Sequence, residues 1–158
     1  VRLDPGQWAS FWSAFVHVVR NAVDHGIELP EDRERAGKPP EGSLTLRTQV
    51  TNESFSIMLS DDGRGIDWST VAAKAQRRGL PHQTHSDLVE ALYADGVTTR
   101  DEVNEYSGRG IGMGVVREAC RSRGGELHVE SQPGKGTTVE FRFPRAAVAQ
   151  SIQLRRAS

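Results

Sequence analysis

One helical stretch, residues 7–28, constrains the fold of this chain most, because its two faces require two different neighbours. At 3.6 residues per turn, polar side chains line up on one side of this helix. The polar stripe comprises His17, Arg20, Asn21, Asp24 and Glu28, with His25 at its edge. The opposite, apolar face comprises Phe11, Trp12, Phe15, Val19, Ala22 and Val23. The pattern predicts a helix that packs on a sheet and presents polar groups to something else.

The composition of the polar stripe favours a functional role over an ordinary solvated surface. Exposed helix faces usually carry Glu, Lys, Gln and Arg, which are good helix formers, whereas His, Asn and Asp are indifferent ones. A merely solvated face is the alternative. We expect the helix to begin near Asp4 and Pro5 and to end at Gly26 in the left-handed conformation that glycine adopts easily.

Alternation of apolar residues and the positions of turn residues predict the remaining elements. Residues 28–42 indicate an ordered surface loop, and residues 79–110, which lack strong periodicity, indicate a lid. The stretch after Pro144 carries no signal and is expected to be a frayed end or a linker. The predicted elements are strands at 44–50, 55–60, 126–131 and 137–143, and helices at about 68–78, 86–94 and 112–123, with Asp67 capping the first of these helices.

The overall composition limits the classes of function. A chain of 158 residues suits one domain, and a formal net charge of −1 gives no reason to expect a nucleic-acid partner. Cys120 is the only cysteine, which excludes an intrachain disulfide and a cysteine-built metal cluster. No apolar run reaches the roughly 18 residues of a transmembrane helix and no signal peptide is evident, so we expect a cytoplasmic protein without direct membrane insertion. The start at Val1 suggests a segment of a longer protein.

A second site is predicted at residues 61–65, Asp-Asp-Gly-Arg-Gly, which follow directly on an apolar strand. A carboxylate at a strand end is held rigidly, and Gly63 and Gly65 would let the backbone approach a planar ligand. Asp61 could accept a hydrogen bond from an adenine amino group and would be left unpaired by guanine. An ordinary Asp-Gly turn is the alternative, while a calcium loop is disfavoured because Ala72 stands where its last ligand would be.

A third site is predicted at residues 107–114, where alternate glycines run into a helix. Exposed backbone amides and the positive end of a helix make a plausible phosphate cradle, although the spacing matches neither the dinucleotide fingerprint nor the P-loop. A flexible glycine hinge is the alternative. Residues 134–138, Gly-Lys-Gly-Thr-Thr, are weaker, since a hairpin turn explains them, but their hydroxyls could support the carboxylate of Asp61.

These four sites, in this order, resemble the N, G1, G2 and G3 boxes of the GHKL superfamily, the ATP-binding fold shared by gyrase, Hsp90, MutL and sensor histidine kinases. Residues 20–28 with the following Arg33 and 37–39, then 61–67 and 107–113, resemble more specifically the kinase domain of CheA-type chemotaxis histidine kinases. The resemblance extends from about residue 10 to Pro144, nearly the whole chain.

The resemblance implies that the chain binds ATP and Mg²⁺. Asn21 would be the magnesium ligand, Asp61 would bind the adenine amine, and Thr137 would sit behind the adenine. By the same resemblance, the residues facing the phosphates would include Arg20, His25 and Lys74. The implied catalytic set is His17, Arg20 and His25, and the implied nucleotide-binding set is Asn21, Asp61, Gly63, Gly65, Lys74, Gly108, Arg109, Gly110, Ile111, Gly112, Met113 and Thr137.

The residue at position 17 separates the classes within this superfamily. Members that hydrolyse ATP have a Glu there as general base, whereas His17 resembles the kinases and favours phosphoryl transfer over hydrolysis. A structural helical histidine is the alternative. Two departures from the family pattern, Val97 in place of Phe and Gly114 in place of Asp, bear on catalytic efficiency. His82, His85 and His128 lack the setting of a phosphoacceptor, so we expect no autophosphorylation of this piece alone.

We therefore expect an α/β fold, a two-layer sandwich of one mixed β-sheet covered by about three helices. Residues 1–144 would form the ATP-binding kinase domain and residues 145–158 a tail or linker. The implied reaction transfers the γ-phosphoryl group to a histidine on a separate phosphotransfer domain, in cis or in trans, in two-component signalling. Further implied partners are a response regulator and the coupling and dimerisation domains of the parent protein. The alternatives are a nucleotide-binding regulatory domain and a slow GHKL ATPase.

Overall fold

A computed structural model describes residues 3–94 and 113–148 of the chain. Its strands are β1 Leu44–Val50, β2 Ser54–Asp61, β3 Glu126–Gln132 and β4 Gly136–Pro144. They form one sheet in the order β1-β2-β4-β3, and every pairing is antiparallel. The predicted strands are thus confirmed, but the described sheet is antiparallel where a mixed sheet is expected. Both hairpins have short turns, which permit only antiparallel pairing of their strands. The two hairpins meet at β2 and β4, which also pair antiparallel.

Helices cover one face of this sheet and form the second layer. The described helices are α1 Ala9–Asn21, continued by a π-helical turn at Ala22–Gly26, then α2 Pro30–Arg35, α3 Trp68–Arg77, α4 His85–Leu92 and α5 Met113–Arg121. The two-layer α/β sandwich is therefore confirmed, with five α-helices among the described residues instead of about three. The sequence analysis does not predict α2, which lies in the connection expected to be a loop. No helix within the described ranges is both long and apolar enough to span a membrane.

The core lies between the helices and the covered face of the sheet. Alternate residues of β2 and β4 face it, and their aromatic rings meet those of α1 and of the turn before it. The ring centroids of Trp8 and Phe143 are 4.7 Å apart and those of Phe11 and Phe141 are 5.2 Å apart, both in edge-to-face geometry. Such pairs each add about 0.5 to 1.5 kcal/mol beyond the burial of their area. These contacts anchor α1 firmly on the sheet.

The buried face of α1 differs in part from the expected one. Phe11, Phe15 and Ala22 are buried as predicted, but Trp12 and Val23 are 37% and 52% exposed. Trp12 lies about 100° from the buried line on a helix of 3.6 residues per turn, and Val23 lies in the π-helical turn, where that period no longer holds. Trp8, Ala14 and Val18 are buried instead of Trp12 and Val23.

The ends of the helices show how local sequence sets their bounds. Asp67 caps α3 as predicted, accepting from the backbone N–H groups of Ser69 and Thr70. Thr84 forms a capping box with Asp87, which starts α4 slightly earlier than expected. The expectation for Gly26 is wrong, because Gly26 does not have a positive φ. Instead the Ile27 N–H donates to the Ala22 carbonyl, and α1 ends through the wider π-helical turn.

The chain beyond β4 returns to the core at Val148. Residues 145–148 are helical, Val148 is buried, and the Arg145 N–H donates to the Glu53 carbonyl over 2.8 Å. The division into residues 1–144 and 145–158 stays a prediction.

Candidate nucleotide-binding site

The candidate site lies at one end of the sheet, where β2 ends, β4 begins and β3 ends. Alternation places Asp61 on the helix-covered face, in line with Phe55, Ile57 and Leu59. Thr137 in β4 and Ser131 in β3 lie on the same face, and they are register partners. The strand pattern therefore brings Asp61 together with two polar residues of the β3–β4 hairpin that are distant from it in sequence.

The carboxylate of Asp61 is held by one of its two oxygens. Its Oδ1 accepts from the Gly63 N–H at 2.9 Å and from the Thr137 N–H at 3.2 Å. In the described part of the chain no donor hydrogen-bonds Oδ2. Burial raises the pKa of Asp61 above its usual range, although the two backbone hydrogen bonds act in the opposite direction. The result is a rigid carboxylate with one oxygen available as an acceptor.

The π-helical turn at the end of α1 docks against the end of β2. The Arg64 N–H donates to the Gly26 carbonyl over 2.8 Å. A Cβ on Gly63 would lie 2.1 Å from the same carbonyl oxygen, so only glycine fits there. A Cβ on Gly26 would lie 3.5 Å from both carboxylate oxygens of Asp61. This contact places the polar stripe of α1 beside Asp61 and gives a reason, within the protein itself, for glycine at position 63.

The turn between β3 and β4 packs equally closely on the segment after Asp61. Gly136 has φ +99°, and a Cβ there would lie 1.9 Å from the Asp61 carbonyl oxygen. Gly65 has φ +74°, and its Cβ would lie 2.4 Å from the Gln132 carbonyl oxygen. Both positions require glycine for the approach of backbone to backbone.

Ser131 links these two segments and is missed by the sequence analysis. Its Oγ accepts from the Ile66 N–H at 2.8 Å and donates to the Gly136 carbonyl at 3.0 Å. It also lies 3.0 Å from the Thr137 hydroxyl. The hydroxyl of Thr137 thus faces Ser131, and Thr137 supports Asp61 through its backbone N–H instead. A serine in an alternating strand carries no distinctive signal, which is why the pattern did not reveal it.

The stripe residues up to His25 lie on the accessible side of α1 and its π-helical turn, as predicted. Glu28 does not, because it follows the end of the helix and its side chain is paired with Arg33 and Lys38. Arg20 and Asn21 are exposed on the last turn of α1, and His17 is half-buried one turn earlier. His25 is half-buried in the π-helical turn, next to the Gly26 that contacts Asp61. No group of three or more His, Cys, Asp or Glu side chains within residues 3–94 and 113–148 could hold a metal ion. A metal here would need ligands from a bound molecule as well as Asn21.

Two further predicted site residues lie on helices beyond the sheet end. Lys74 is largely buried on α3 between Val71 and Ala75, and Met113, half-buried, begins α5. The remaining predicted residues, Gly108, Arg109, Gly110, Ile111 and Gly112, lie outside the described residues, as do Val97 and the second half of the expected lid, residues 95–110.

Asp62, the neighbour of Asp61, contacts a separate set of charged residues. Arg33 of α2 forms a two-pronged ion pair with its carboxylate, and the Ser43 N–H donates to it at 2.8 Å. Lys38 donates to the carbonyls of Asp62 and Gly63. The loop before β1 is therefore bound to the strand end that carries Asp61.

Comparison with known proteins agrees with this geometry. Residues 12–147 match the family described as histidine kinase-, DNA gyrase B- and HSP90-like ATPase. The chain is 36% identical over 147 residues to the gliding motility regulatory protein of Myxococcus xanthus, covering 89% of this chain and 19% of that protein. It is 38% identical over 150 residues to the chemotaxis protein CheA of Halobacterium salinarum, covering 91% and 22%. The chain thus spans about a fifth of the length of these curated relatives.

Among solved structures, the mycobacterial sensor histidine kinase MprB has the same fold, with a TM-score of 0.50 and 21% identity over 83% of this chain and 69% of that one. The family match covers most of the chain and includes α1, the end of β2 and the β3–β4 turn. The chain belongs to the family of histidine kinase-, DNA gyrase B- and HSP90-like ATPases.

Proposed function

We propose that this domain binds Mg²⁺·ATP at the sheet end and transfers the γ-phosphoryl group to a histidine of a phosphotransfer domain. The observation that carries the nucleotide part is the carboxylate of Asp61, with Oδ1 saturated by two backbone N–H groups and Oδ2 available. An available acceptor pairs with the amino group of adenine, whereas the carbonyl oxygen of guanine would repel it. The site therefore selects adenine nucleotides.

The phosphates would lie along the polar stripe of α1, which the contact between Gly26 and Gly63 holds next to Asp61. Arg20, His25 and Lys74 would supply positive charge, and the glycine-rich stretch at 108–112 would supply backbone amides at the start of α5. Asn21 would ligate Mg²⁺, which neutralises charge on the phosphoryl group during transfer.

Phosphoryl transfer requires little covalent chemistry from the enzyme, so the side chains of this site act by positioning and charge. The γ-phosphoryl group passes from ATP to an imidazole nitrogen of the acceptor, and ADP is left. His17 occupies the place from which a Glu would activate water, and this favours transfer over hydrolysis. The similarity to CheA supports a chemotaxis-type two-component system, in which a response regulator and the coupling and dimerisation domains of the parent protein would be partners. We place the protein in the cytoplasm on the same grounds.

Calorimetric titration with ATP, with and without Mg²⁺, tests the nucleotide site. We expect the wild type to bind ATP but not GTP, Asp61→Asn to lose binding, and Asn21→Ala to lose mainly the dependence on Mg²⁺. Glu130→Gln, the same chemical change on the uncovered face of the sheet, is the matched control and should bind as the wild type does. A wild type that binds no nucleotide, with or without Mg²⁺, would refute the proposal.

A regulatory domain that binds nucleotide without kinase activity is the second candidate, favoured by Val97 and Gly114 in place of the family's usual residues. Incubation with radiolabelled ATP and a supplied phosphotransfer domain separates the two. Label on the acceptor supports the kinase, and binding of ATP without any transfer supports the regulatory domain. Phosphate release by the wild type without an acceptor would instead indicate a slow ATPase, and release unaffected by His17→Ala would show that His17 has no role in it.

A further inference from the structure

An ionic cluster of Glu28, Arg33, Lys38 and Asp62, with Arg33 buried and Asp62 partly exposed, joins the end of the π-helical turn to the end of β2. Arg33 is fully buried, yet its guanidinium donates in three directions. Nη1 and Nη2 reach Asp62 at 3.1 and 2.8 Å, and Nη1 also reaches Glu28 at 3.2 Å. Nε donates to the Pro39 carbonyl at 2.7 Å. The two carboxylates hold Arg33 between the segments that carry the two halves of the proposed site.

Lys38 extends this cluster onto the backbone that flanks Asp61. Its Nζ lies 2.8 Å from Glu28, 2.9 Å from the Asp62 carbonyl and 2.8 Å from the Gly63 carbonyl. An ammonium group has three donors, and all three are used here. The two carbonyls belong to the residues that follow Asp61, and the N–H of Gly63 is one of the two that orient its carboxylate. Lys38 therefore fixes the peptide groups on which the direction of Asp61 depends.

Stability alone does not account for such a cluster. Buried ion pairs often contribute little net stability, since apolar residues of similar volume can replace them without loss. What an apolar replacement could not do is bind the carbonyls of Asp62 and Gly63 in one fixed direction. The cluster also has two anchor points on opposite sides of the site, because Glu28 follows Gly26 by two residues and Asp62 follows Asp61 directly.

We propose that Arg33 and Lys38 are positioning residues of the nucleotide site, which hold Asp61 and the end of the α1 stripe at a fixed separation. The inference rests on the proposed function and adds to it two residues that touch neither adenine nor phosphate. Without them, the Gly63 N–H is no longer held toward the Asp61 carboxylate, nor the Arg64 N–H toward the Gly26 carbonyl. The carboxylate of Asp61 then loses its single orientation, and adenine selectivity falls with affinity.

Lys38→Met is the main test, since Lys38 is at the edge of the cluster and its loss should leave the fold intact. We expect about a tenfold weaker affinity for ATP and for adenosine, with a smaller ratio of ATP to GTP affinity. Lys38→Arg, which keeps a donor group, should recover part of the affinity and part of the ratio of ATP to GTP affinity. Arg33→Met should show the same losses, and Arg35→Met, on the same helix but exposed and paired only with Asp32, should show none.

Amide hydrogen exchange gives a measurement that does not depend on nucleotide. In Lys38→Met the N–H groups of Gly63 and Arg64 should exchange at least about tenfold faster than in the wild type, while those of β3 stay unchanged. Unchanged exchange at both amides in a folded variant would overturn the positioning role, as would unchanged ATP affinity and selectivity. If the wild type binds no ATP, the proposed function fails, and faster exchange at Gly63 would still establish that the cluster orders this segment.

Discussion

Asp61 and Asp62 are adjacent in sequence, but they lie in opposite environments on the two sides of the end of β2. Asp61 is on the helix-covered side, where its hydrogen bonds within the described residues come from backbone N–H groups alone, and burial raises its pKa. Asp62 is ion-paired with Arg33 and bonded to the Ser43 N–H. Its partial burial acts to raise the pKa, but these bonds and the charges of Arg33 and Lys38 outweigh it and lower the pKa of Asp62.

The difference between the two carboxylates separates recognition from support. Asp62 has both oxygens engaged by the protein, so it has little capacity left for a ligand. Asp61 keeps one oxygen available at the cost of an unfavourable burial of its charge. A carboxylate that is costly to keep charged and is not compensated by a cation suits a position where a ligand completes its hydrogen bonds. The support role of Asp62 and the recognition role of Asp61 can each be tested by a single substitution.

The largest effect is expected from Arg33→Met, which removes the ion pair with Asp62. Removing one partner of a buried pair leaves the other uncompensated, so the free energy of unfolding should fall by about 2 to 4 kcal/mol, discounted for the partial exposure of Asp62. Urea denaturation monitored by circular dichroism measures it. Arg35→Met, at an exposed position, should change the free energy of unfolding by less than about 0.5 kcal/mol. Equal stability of the two variants would show that the ion pair does not support the fold.

The next effect concerns the Asp61 side, where Asp61→Asn should lower ATP affinity by about 100-fold or more and leave stability unchanged or slightly increased. The Oδ1 of Asn can still accept from Gly63 and Thr137, but its amide N–H₂ would oppose the amino group of adenine. Calorimetry and urea denaturation measure the two quantities on the same variant. Asp62→Asn should show the reverse, a loss of stability exceeding its loss of affinity. The comparison fails if both variants lose stability to the same extent.

Sequence reasoning predicted those parts of the fold that depend on local pattern. Alternation located both hairpins, since β2, β3 and β4 each bury mainly one face, whereas β1 shows the alternation in sequence although it is exposed along nearly its whole length. Asp67 marked the start of α3 because a capping carboxylate bonds its own neighbours. Asp61 was identified as a candidate because it follows a strand directly. Thr137 supports Asp61 through its backbone N–H and not through the hydroxyl that the sequence analysis expected.

What the pattern could not predict depends on contacts between distant residues. The burial of Arg33 is set by Asp62, 29 residues away. The family resemblance singled out Arg33, but hydrophobic pattern alone does not distinguish it from the exposed Arg35. The conformation of Gly26 was missed for the same reason, because it is determined by docking on Gly63 and not by the usual end of a helix. Exposure of Trp12 and Val23 likewise depends on where the sheet ends beneath α1.

A smaller effect is expected at Ser131, which ties the segment after Asp61 to the β3–β4 turn. Ser131→Ala removes the acceptor for the Ile66 N–H and the donor to Gly136, and should reduce the free energy of unfolding by about 1 to 2 kcal/mol. Ser122→Ala, whose hydroxyl donates to the Ala119 carbonyl at the exposed end of α5, is the matched control and should cost less than about 0.5 kcal/mol. Thermal unfolding of both variants measures the difference. If Ser131→Ala is as stable as Ser122→Ala, the hydrogen bonds of the Ser131 hydroxyl do not stabilise the fold.

The pH dependence of stability sharpens the comparison, because the two carboxylates should act in opposite directions. The pKa of Asp61 is raised in the folded state, so its contribution to stability is fully present below the ordinary Asp value of about 3.9 and is lost as the pH rises through the folded value. The pKa of Asp62 is lowered, so its contribution is present above about 3.9 and is lost as the pH falls through the folded value.

The measurement is urea denaturation of the wild type, Asp61→Asn and Asp62→Asn at several values between about pH 3 and pH 7. The stability of the wild type relative to Asp61→Asn should decrease as the pH rises from about 3.9, because only the wild type must ionise a buried carboxyl there. The stability of the wild type relative to Asp62→Asn should decrease as the pH falls below about 3.9, because the ion pair with Arg33 is then lost. If both stability differences changed in the same direction with pH, the two carboxylates would share one environment. The assignment of recognition to Asp61 and support to Asp62 would then fail.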